Sequence, residues 1–140
     1  MSKAAVVYWS GTGNTEAMAR AVLKGAQSAG ASAELFGIAD FDAGKAASYD
    51  AFAFGCPAMG SEELEDSEFA PGFEAVKAAL VGKKVALFGS YGWGDGDWMR
   101  NWEDDCAAAG ITLCCDSVIC NDAPDDDALA ACKALGAALA

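Results

Sequence analysis

The segment Ala4-Ala-Val-Val-Tyr-Trp-Ser-Gly-Thr-Gly-Asn-Thr-Glu16 decides how this chain folds. Ala4–Trp9 is apolar without alternation, the pattern of a short strand covered on both faces. It breaks into Ser10-Gly-Thr-Gly-Asn-Thr15. Met18, Val22, Gly25 and Ala29 then recur at helical spacing, with Gly30 placed as a stop. Gly11 and Gly13 let the backbone turn tightly, so amides and the hydroxyls of Ser10, Thr12 and Thr15 converge at a helix N-terminus. Asn14 adds an amide side chain. Such a nest binds phosphate. No G-K-[ST] follows, so a nucleoside triphosphate would lack its lysine. Glu16 fills the third glycine position of a dinucleotide fingerprint. The loop contains no Lys or Arg, and neutral donors alone suit a caged monophosphate better than a pyrophosphate.

Outward from this unit the same alternation continues. Ala51–Gly55 and Val85–Gly89 are further unalternated apolar runs, and Ser32–Phe36 and Ile111–Cys115 are weaker candidates for a second and a fifth strand. Three more helical stripes lie between or after them. One joins Phe73, Val76 and Leu80 between Pro71 and Gly82, and one joins Trp98, Trp102, Cys106 and Ala109 before Gly110. The last joins Leu129, Cys132, Gly136 and Leu139, with Asp125–Asp127 near its positive end. Phe41–Ser48 is too short to assign. Strands alternating with helices predict a doubly wound α/β domain spanning residues 1–140.

Composition narrows the function. The 140 residues carry 9 basic and 21 acidic side chains, no histidine and a net charge of −12. That balance argues against nucleic acid and anionic membranes as partners. Without histidine there is no Ser-His-Asp or Cys-His catalysis and no histidine metal site. The six cysteines have no C-x-x-C spacing, so a zinc ribbon or a thioredoxin-type motif is unsupported. They are expected to be reduced and mostly buried in a cytoplasmic protein. No signal peptide or spanning helix is visible. Residues 61–127 hold sixteen acids against four bases and so account for the whole excess. Those acids concentrate at Glu62–Glu68, Asp95–Asp105 and Asp116–Asp127, in or beside connecting loops.

Two more loops end strands. Gly55-Cys-Pro-Ala-Met-Gly-Ser-Glu62 can place Met59-Gly60 in the middle of a type II turn. Ser90-Tyr-Gly-Trp-Gly-Asp-Gly96 sets Trp93 among glycines that admit a flat ligand. Ligands of open α/β sheets sit beyond the carboxyl ends of the strands, where strand order reverses. A phosphate nest, a Met-Gly turn and a tryptophan loop at that end describe a site for a phosphorylated planar heterocycle.

These segments resemble flavodoxins, closely the short-chain flavodoxins of anaerobic bacteria. The likeness runs through Val7–Glu16, the Met59 loop, Lys83–Gly96 and Trp98-Met-Arg100. It implies a three-layer αβα fold with a five-stranded parallel sheet in the order 2-1-3-4-5, flavodoxins being an instance of the switch-point rule. It implies one non-covalent FMN, its phosphate on the Ser10–Thr15 loop through Ser10, Thr12, Asn14 and Thr15, with Gly11 and Gly13 shaping the turn. It also implies that Met59 and Trp93 sandwich the ring and that Gly60 turns its carbonyl toward a flavin nitrogen. Glu62 and the Ser90, Tyr91 and Gly92 backbone would hold the pyrimidine edge, with Ala58, Ser61 and Gly94 alongside. Two residues depart from the common pattern. Pro57 stands where a serine is frequent, and Ser61 where an acid is common.

The implied role is a low-potential one-electron carrier cycling between semiquinone and hydroquinone, without substrate turnover of its own. The implied behaviour is that of a monomer docking redox enzymes with basic surfaces through its acids, with no Lys or Arg in residues 85–99 to offset them. An FMN-dependent quinone or NAD(P)H reductase of the same fold would need basic residues near the ring. A phosphorylated receiver would need an aspartate where Cys56 and Pro57 stand. Trp98, Trp102, Tyr8 and Trp9 read first as packing residues, and Asn121 as a turn residue within reach of the site.

Overall fold

Side chains along the central strands alternate between two separate cores, and that alternation builds the layers. The computed structural model describes residues 3–59, 63–92 and 94–140. Its strands are β1 (Lys3–Tyr8), β2 (Ser32–Gly37), β3 (Ala51–Gly55), β4 (Lys84–Tyr91) and β5 (Val118–Asn121). All pair in parallel, in the order β2-β1-β3-β4-β5. On one face Ala5, Val7, Phe52, Phe54, Val85 and Leu87 meet Phe69, Phe73, Trp98 and Trp102. On the other, Ala4, Val6, Ala51, Ala53, Ala86 and Phe88 meet Met18, Val22, Cys132 and Leu135. Tryptophan and phenylalanine fill the first core, whereas strand alanines leave room for two close helices in the second.

Those two helices are α1 (Asn14–Ser28) and α5 (Asp126–Ala137), which pack on one face; α3 (Phe69–Val76) and α4 (Asp97–Ala108) cover the other. Asp125 caps α5 by accepting from the Ala128 amide at 2.8 Å. Trp98 and Trp102 are 1% and 2% exposed, core residues as their spacing predicts. The unassigned Phe41–Ser48 segment contains a single helical turn, α2 (Ala43–Ala46), capped by Asp42.

One strand differs from expectation. The fifth strand is Val118–Asn121, not Ile111–Cys115. Leu113 makes one parallel bridge to Val85, and the Cys114 amide donates to Val85 O at 2.9 Å; the chain then bends and resumes pairing at Val118 opposite Phe88. Five residues of advance on this chain answer three on β4, so Cys114–Ser117 includes a two-residue excess that the ladder cannot absorb. Ile111–Cys115 contributes only the Leu113 bridge; the excess length, invisible in composition, moves the strand to Val118.

Candidate functional site

The chain leaves β1 for β2 on one side of the sheet and returns to β3 on the other side of β1, so the carboxyl ends of β1 and β3 form a switch point. The loop after β1 turns through Gly13 at φ +97°, a left-handed conformation that glycine adopts at no steric cost. Its amide donates to Ser10 Oγ at 3.0 Å, which tightens the turn. The first intrahelical bond is Ala17 N to Gly13 O, so the amides of Asn14, Thr15 and Glu16 precede the helical ladder. Glu16 itself leans along the helix to Arg20 at 2.9 Å. The donors facing outward from this turn are therefore neutral.

The segment after β3 is drawn against the sheet. The Trp9 amide donates to Gly55 O at 3.0 Å and the Ala58 amide to Ser90 O at 3.0 Å. Met59 and Glu63 exchange both backbone bonds, 2.8 and 2.9 Å, as an antiparallel bridge. Gly60, Ser61 and Glu62, and with Gly60 the expected Met59-Gly60 turn, lie outside the described residues, as does Trp93.

Together these loops enclose a cleft of about 220 Å³. Of the expected site residues, Gly11, Thr12, Asn14, Ala58, Met59, Ser90, Tyr91 and Gly92 line it. Ser10 and Gly13 shape the turn rather than the wall. Thr15 is buried, its Oγ1 3.3 Å from Ser90 Oγ, so its hydroxyl ties α1 to β4 beneath the cleft. Gly94 is exposed beyond the rim, at φ +85°. Asn121 donates from Nδ2 to Tyr91 O at 3.2 Å, the turn role, and is not in the wall.

Three wall residues were not among the expected ligands: Trp9, Pro57 and Asp122. Trp9 packs against the core yet reaches the cleft, held by Nε1 donating to Glu68 Oε1 at 3.2 Å. Its position directly before Ser10 was the available signal. Asp122 has φ +56°, a conformation Asp and Asn tolerate better than other side-chain-bearing residues. An acidic residue after the final strand, beside the considered Asn121, was its only trace. Trp98, in contrast, stands behind the wall with Nε1 donating to Cys56 O at 3.1 Å.

The acids near the cleft are not equivalent. Glu65 is 5% exposed and accepts from the amides of Ser67 (2.8 Å), Glu68 (2.7 Å) and Phe69 (2.8 Å), and from Ser67 Oγ. It holds the entry to α3 and is no docking charge. Burial pushes its carboxyl upward, but the Ser67 hydroxyl and the three amides outweigh burial and bring it from 4.5 down to about 2. Likewise Arg100 folds back onto Asp95 Oδ1 at 3.0 Å and onto Asp97, so the tryptophan loop does have a basic side chain beside it. Residues 85–99 contain none, but α4 supplies one from its first turn.

Glu65 yields a pH prediction. Its folded value lies below its unfolded one, so its stabilisation is complete above about pH 4.5 and is lost as pH falls toward about 2. Glu65→Gln turns an amide N–H₂ toward two of these donors and should cost about 1.5–3 kcal/mol at pH 7. The gap between wild type and variant should then close as denaturation is repeated from pH 5 down to pH 2. A constant gap across that range would show that the carboxylate charge contributes nothing.

Comparison with known proteins accords with this geometry. The sequence pattern of the family described as Flavodoxin matches residues 6–136. The chain is 47% identical to a flavodoxin of Megasphaera elsdenii over 135 residues, covering 96% of each chain. It is 44% identical to a flavodoxin of Clostridium beijerinckii over 121 residues, 86% of this chain and 88% of that one. The solution structure of two-electron reduced Megasphaera elsdenii flavodoxin superposes with a TM-score of 0.89 over 97% of both chains. A flavodoxin from the domain Archaea, 30% identical, gives 0.86 over 98% of this chain and 95% of that one.

Proposed function

This chain belongs to the flavodoxin family, and from that premise we propose that it binds one FMN in the cleft at the β1/β3 switch point and carries single electrons at low potential. The observation that supports this reading most directly is the donor set after β1: amides and neutral side chains at the start of α1, with no cation among them. They suit a terminal phosphate, with Ser10, Thr12 and Asn14 donating from side chains and the α1 amides from the backbone. Gly11 belongs to the same fit, because a Cβ there would come within 3.1 Å of the Trp9 ring.

Bound FMN would supply one-electron redox chemistry, the working couple lying between its singly and doubly reduced states. The protein's part is to bind, orient and shield. Met59, an exposed large apolar side chain, offers one wall for a flat ring, and Trp93 is proposed for the other. The Ser90, Tyr91 and Gly92 backbone and Glu62 would hold the polar edge. The Met59–Glu63 bridge holds the residues that flank Gly60, whose carbonyl is proposed to face the flavin. Ala58 lines the cleft, and Ser61 and Gly94 are proposed to lie alongside the bound ring.

Acids that no basic side chain neutralises among the described residues, Glu63 and Asp66 after β3 and Asp122 in the cleft wall, would serve two ends. They would disfavour the second electron, which adds negative charge, and would attract basic surfaces of redox partners. No helix among the described residues is long and apolar enough to cross a membrane. All six cysteines are free, which supports a reducing, cytoplasmic setting; the working form is proposed to be a monomer of one domain.

The test is a reductive titration of the FMN-loaded protein with dithionite, then with NADPH. A carrier should be reduced in two separable one-electron steps and should not consume NADPH unaided. Steady NADPH oxidation would favour a reductase. Asp122→Asn, which keeps the left-handed backbone, should raise the potential of the second step and leave the first less changed. Glu63→Gln with Asp66→Asn should flatten the salt dependence of reduction by a basic partner. An unmoved second potential and an unchanged salt slope would leave the acidic excess as a solubility feature.

A further inference from the structure

Cys114 and Cys115 are neighbours in sequence at the bend that interrupts pairing before β5. In an extended strand, successive side chains would point to opposite faces. The bend instead sets their Sγ atoms 4.0 Å apart. Cys114 is exposed and Cys115 half-buried against the α1/α5 core. A cleft of about 330 Å³ lined by Gly82, Lys83, Lys84, Thr112 and Cys114 opens beside them.

We propose that Cys114 and Cys115 form a two-thiol chelating site for a soft, thiophilic centre, best matched by a trivalent arsenical. Geometry favours a bridging atom over a direct disulfide. Cα atoms of adjacent residues are about 3.8 Å apart, below the roughly 4.4–6.8 Å span of ordinary disulfides. Two bonds of about 2.3 Å to a pyramidal centre hold the sulfurs about 3.4 Å apart, so rotation of the exposed Cys114 side chain has only about 0.6 Å to close from the observed 4.0 Å.

Ligand number selects the class of centre. Structural zinc takes four ligands, and among the described residues no group of three or more Cys, His, Asp or Glu side chains could hold a metal ion, so two adjacent thiols suit a centre that needs only two. An aryl arsenoxide, R–As=O, reacts with two protonated thiols. Two As–S bonds form, two S–H bonds break, and the oxygen leaves as water with both protons. Arsenic stays trivalent, and no oxidant is needed.

The site is remote from the cleft. Leu113 bridges Val85 near the start of β4, whereas Tyr91 at its other end lines the cleft, a run of about 20 Å. The proposal therefore stands or falls apart from the flavin reading. FMN-loaded protein is titrated with phenylarsine oxide under nitrogen, and the remaining reactive thiols and the intact mass are measured. One equivalent should remove two thiols, add one phenylarsenic group with loss of one water, and leave the flavin spectrum unchanged. A small dithiol should reverse it where a monothiol does not. Cys114→Ser and Cys115→Ser should each weaken binding by about a hundredfold or more, because one-point attachment loses the effective concentration of the second thiol. Cys120→Ser should bind like wild type. Absence of stoichiometric uptake, or uptake that survives either of the first two substitutions, overturns the proposal.

Discussion

Apoprotein is expected to bind FMN at least a hundredfold more tightly than riboflavin, with an affinity that does not fall as salt is raised. Riboflavin lacks only the phosphate, so the difference isolates the Ser10–Thr15 loop. Hydrogen bonds to a charged group contribute about 1.5–3 kcal/mol each, and two net bonds already give about 3–6 kcal/mol. At about 1.4 kcal/mol per decade the lower figure exceeds a hundredfold. The salt dependence follows from the donor set. A phosphate held by Lys or Arg would loosen as those charges were screened. Here the loop is neutral and Arg20 is occupied by Glu16, while the whole protein carries −12 and repels a dianion. Screening that repulsion should leave affinity level or raise it between low salt and about 0.15 M. FAD, whose phosphate continues into a second nucleotide, should bind poorly. Fluorescence titration of the three ligands decides it: equal constants for riboflavin and FMN, or FMN binding that collapses with salt, would remove the phosphate assignment.

What could be read from the sequence is what local chemistry writes into it. Ala51–Gly55, buried on both faces, is apolar at nearly every position, and the strand has the bounds that this pattern predicts. The β1–α1 turn announces itself because a glycine-rich loop between an apolar run and a helical stripe has few other uses. The strand order is different in kind. It is a property of which strands meet, and in the sequence only the resemblance to flavodoxins implies it. The displaced β5 shows the limit of periodicity: Ile111–Cys115 has the right composition, but a two-residue excess against β4 is a relation between segments.

The site shows the same division. Positions that line the cleft through their backbone course, such as Ala58 and Gly92, follow from the loops themselves. Side-chain direction does not. Nothing in Glu62–Glu68 distinguishes Glu65 from its neighbours, yet it is turned inward onto three amides while Glu63 is exposed. Thr15, grouped with the outward hydroxyls, is turned down onto Ser90. Arg100 was visible as a basic residue but not as one folded back over the loop before it.

Gly136→Ala should be among the most damaging single-methyl changes in the molecule, although both residues favour or tolerate a helix interior and Ala is the better helix former. A Cβ built on Gly136 lies 2.0 Å from Val22 O of α1, and one on Gly25 lies 2.0 Å from Lys133 O of α5. Each glycine thus meets the backbone of the opposing helix, and no rotamer change can relieve the overlap. The helices must separate. Overpacking of this kind costs about 1–3 kcal/mol and sometimes more, and a rigid carbonyl opposite the new methyl places the expectation at the upper end. The roughly 1 kcal/mol gained in helix propensity is too small to offset it. Gly37→Ala is the matched control: the backbone there is extended at φ −72° and ψ 149°, and an added Cβ meets nothing within 4 Å. That variant should be neutral or stabilised by up to about 1 kcal/mol through the unfolded chain. Because α1 also carries the amides at the cleft, prying α1 from α5 should weaken FMN binding in Gly136→Ala, while Gly37→Ala leaves it unchanged. Denaturant melts of the two apoproteins and FMN titrations of both give the comparison. Equal stabilities would mean that the α1/α5 contact yields freely and that the start of α1 is positioned by β1 and β4 alone.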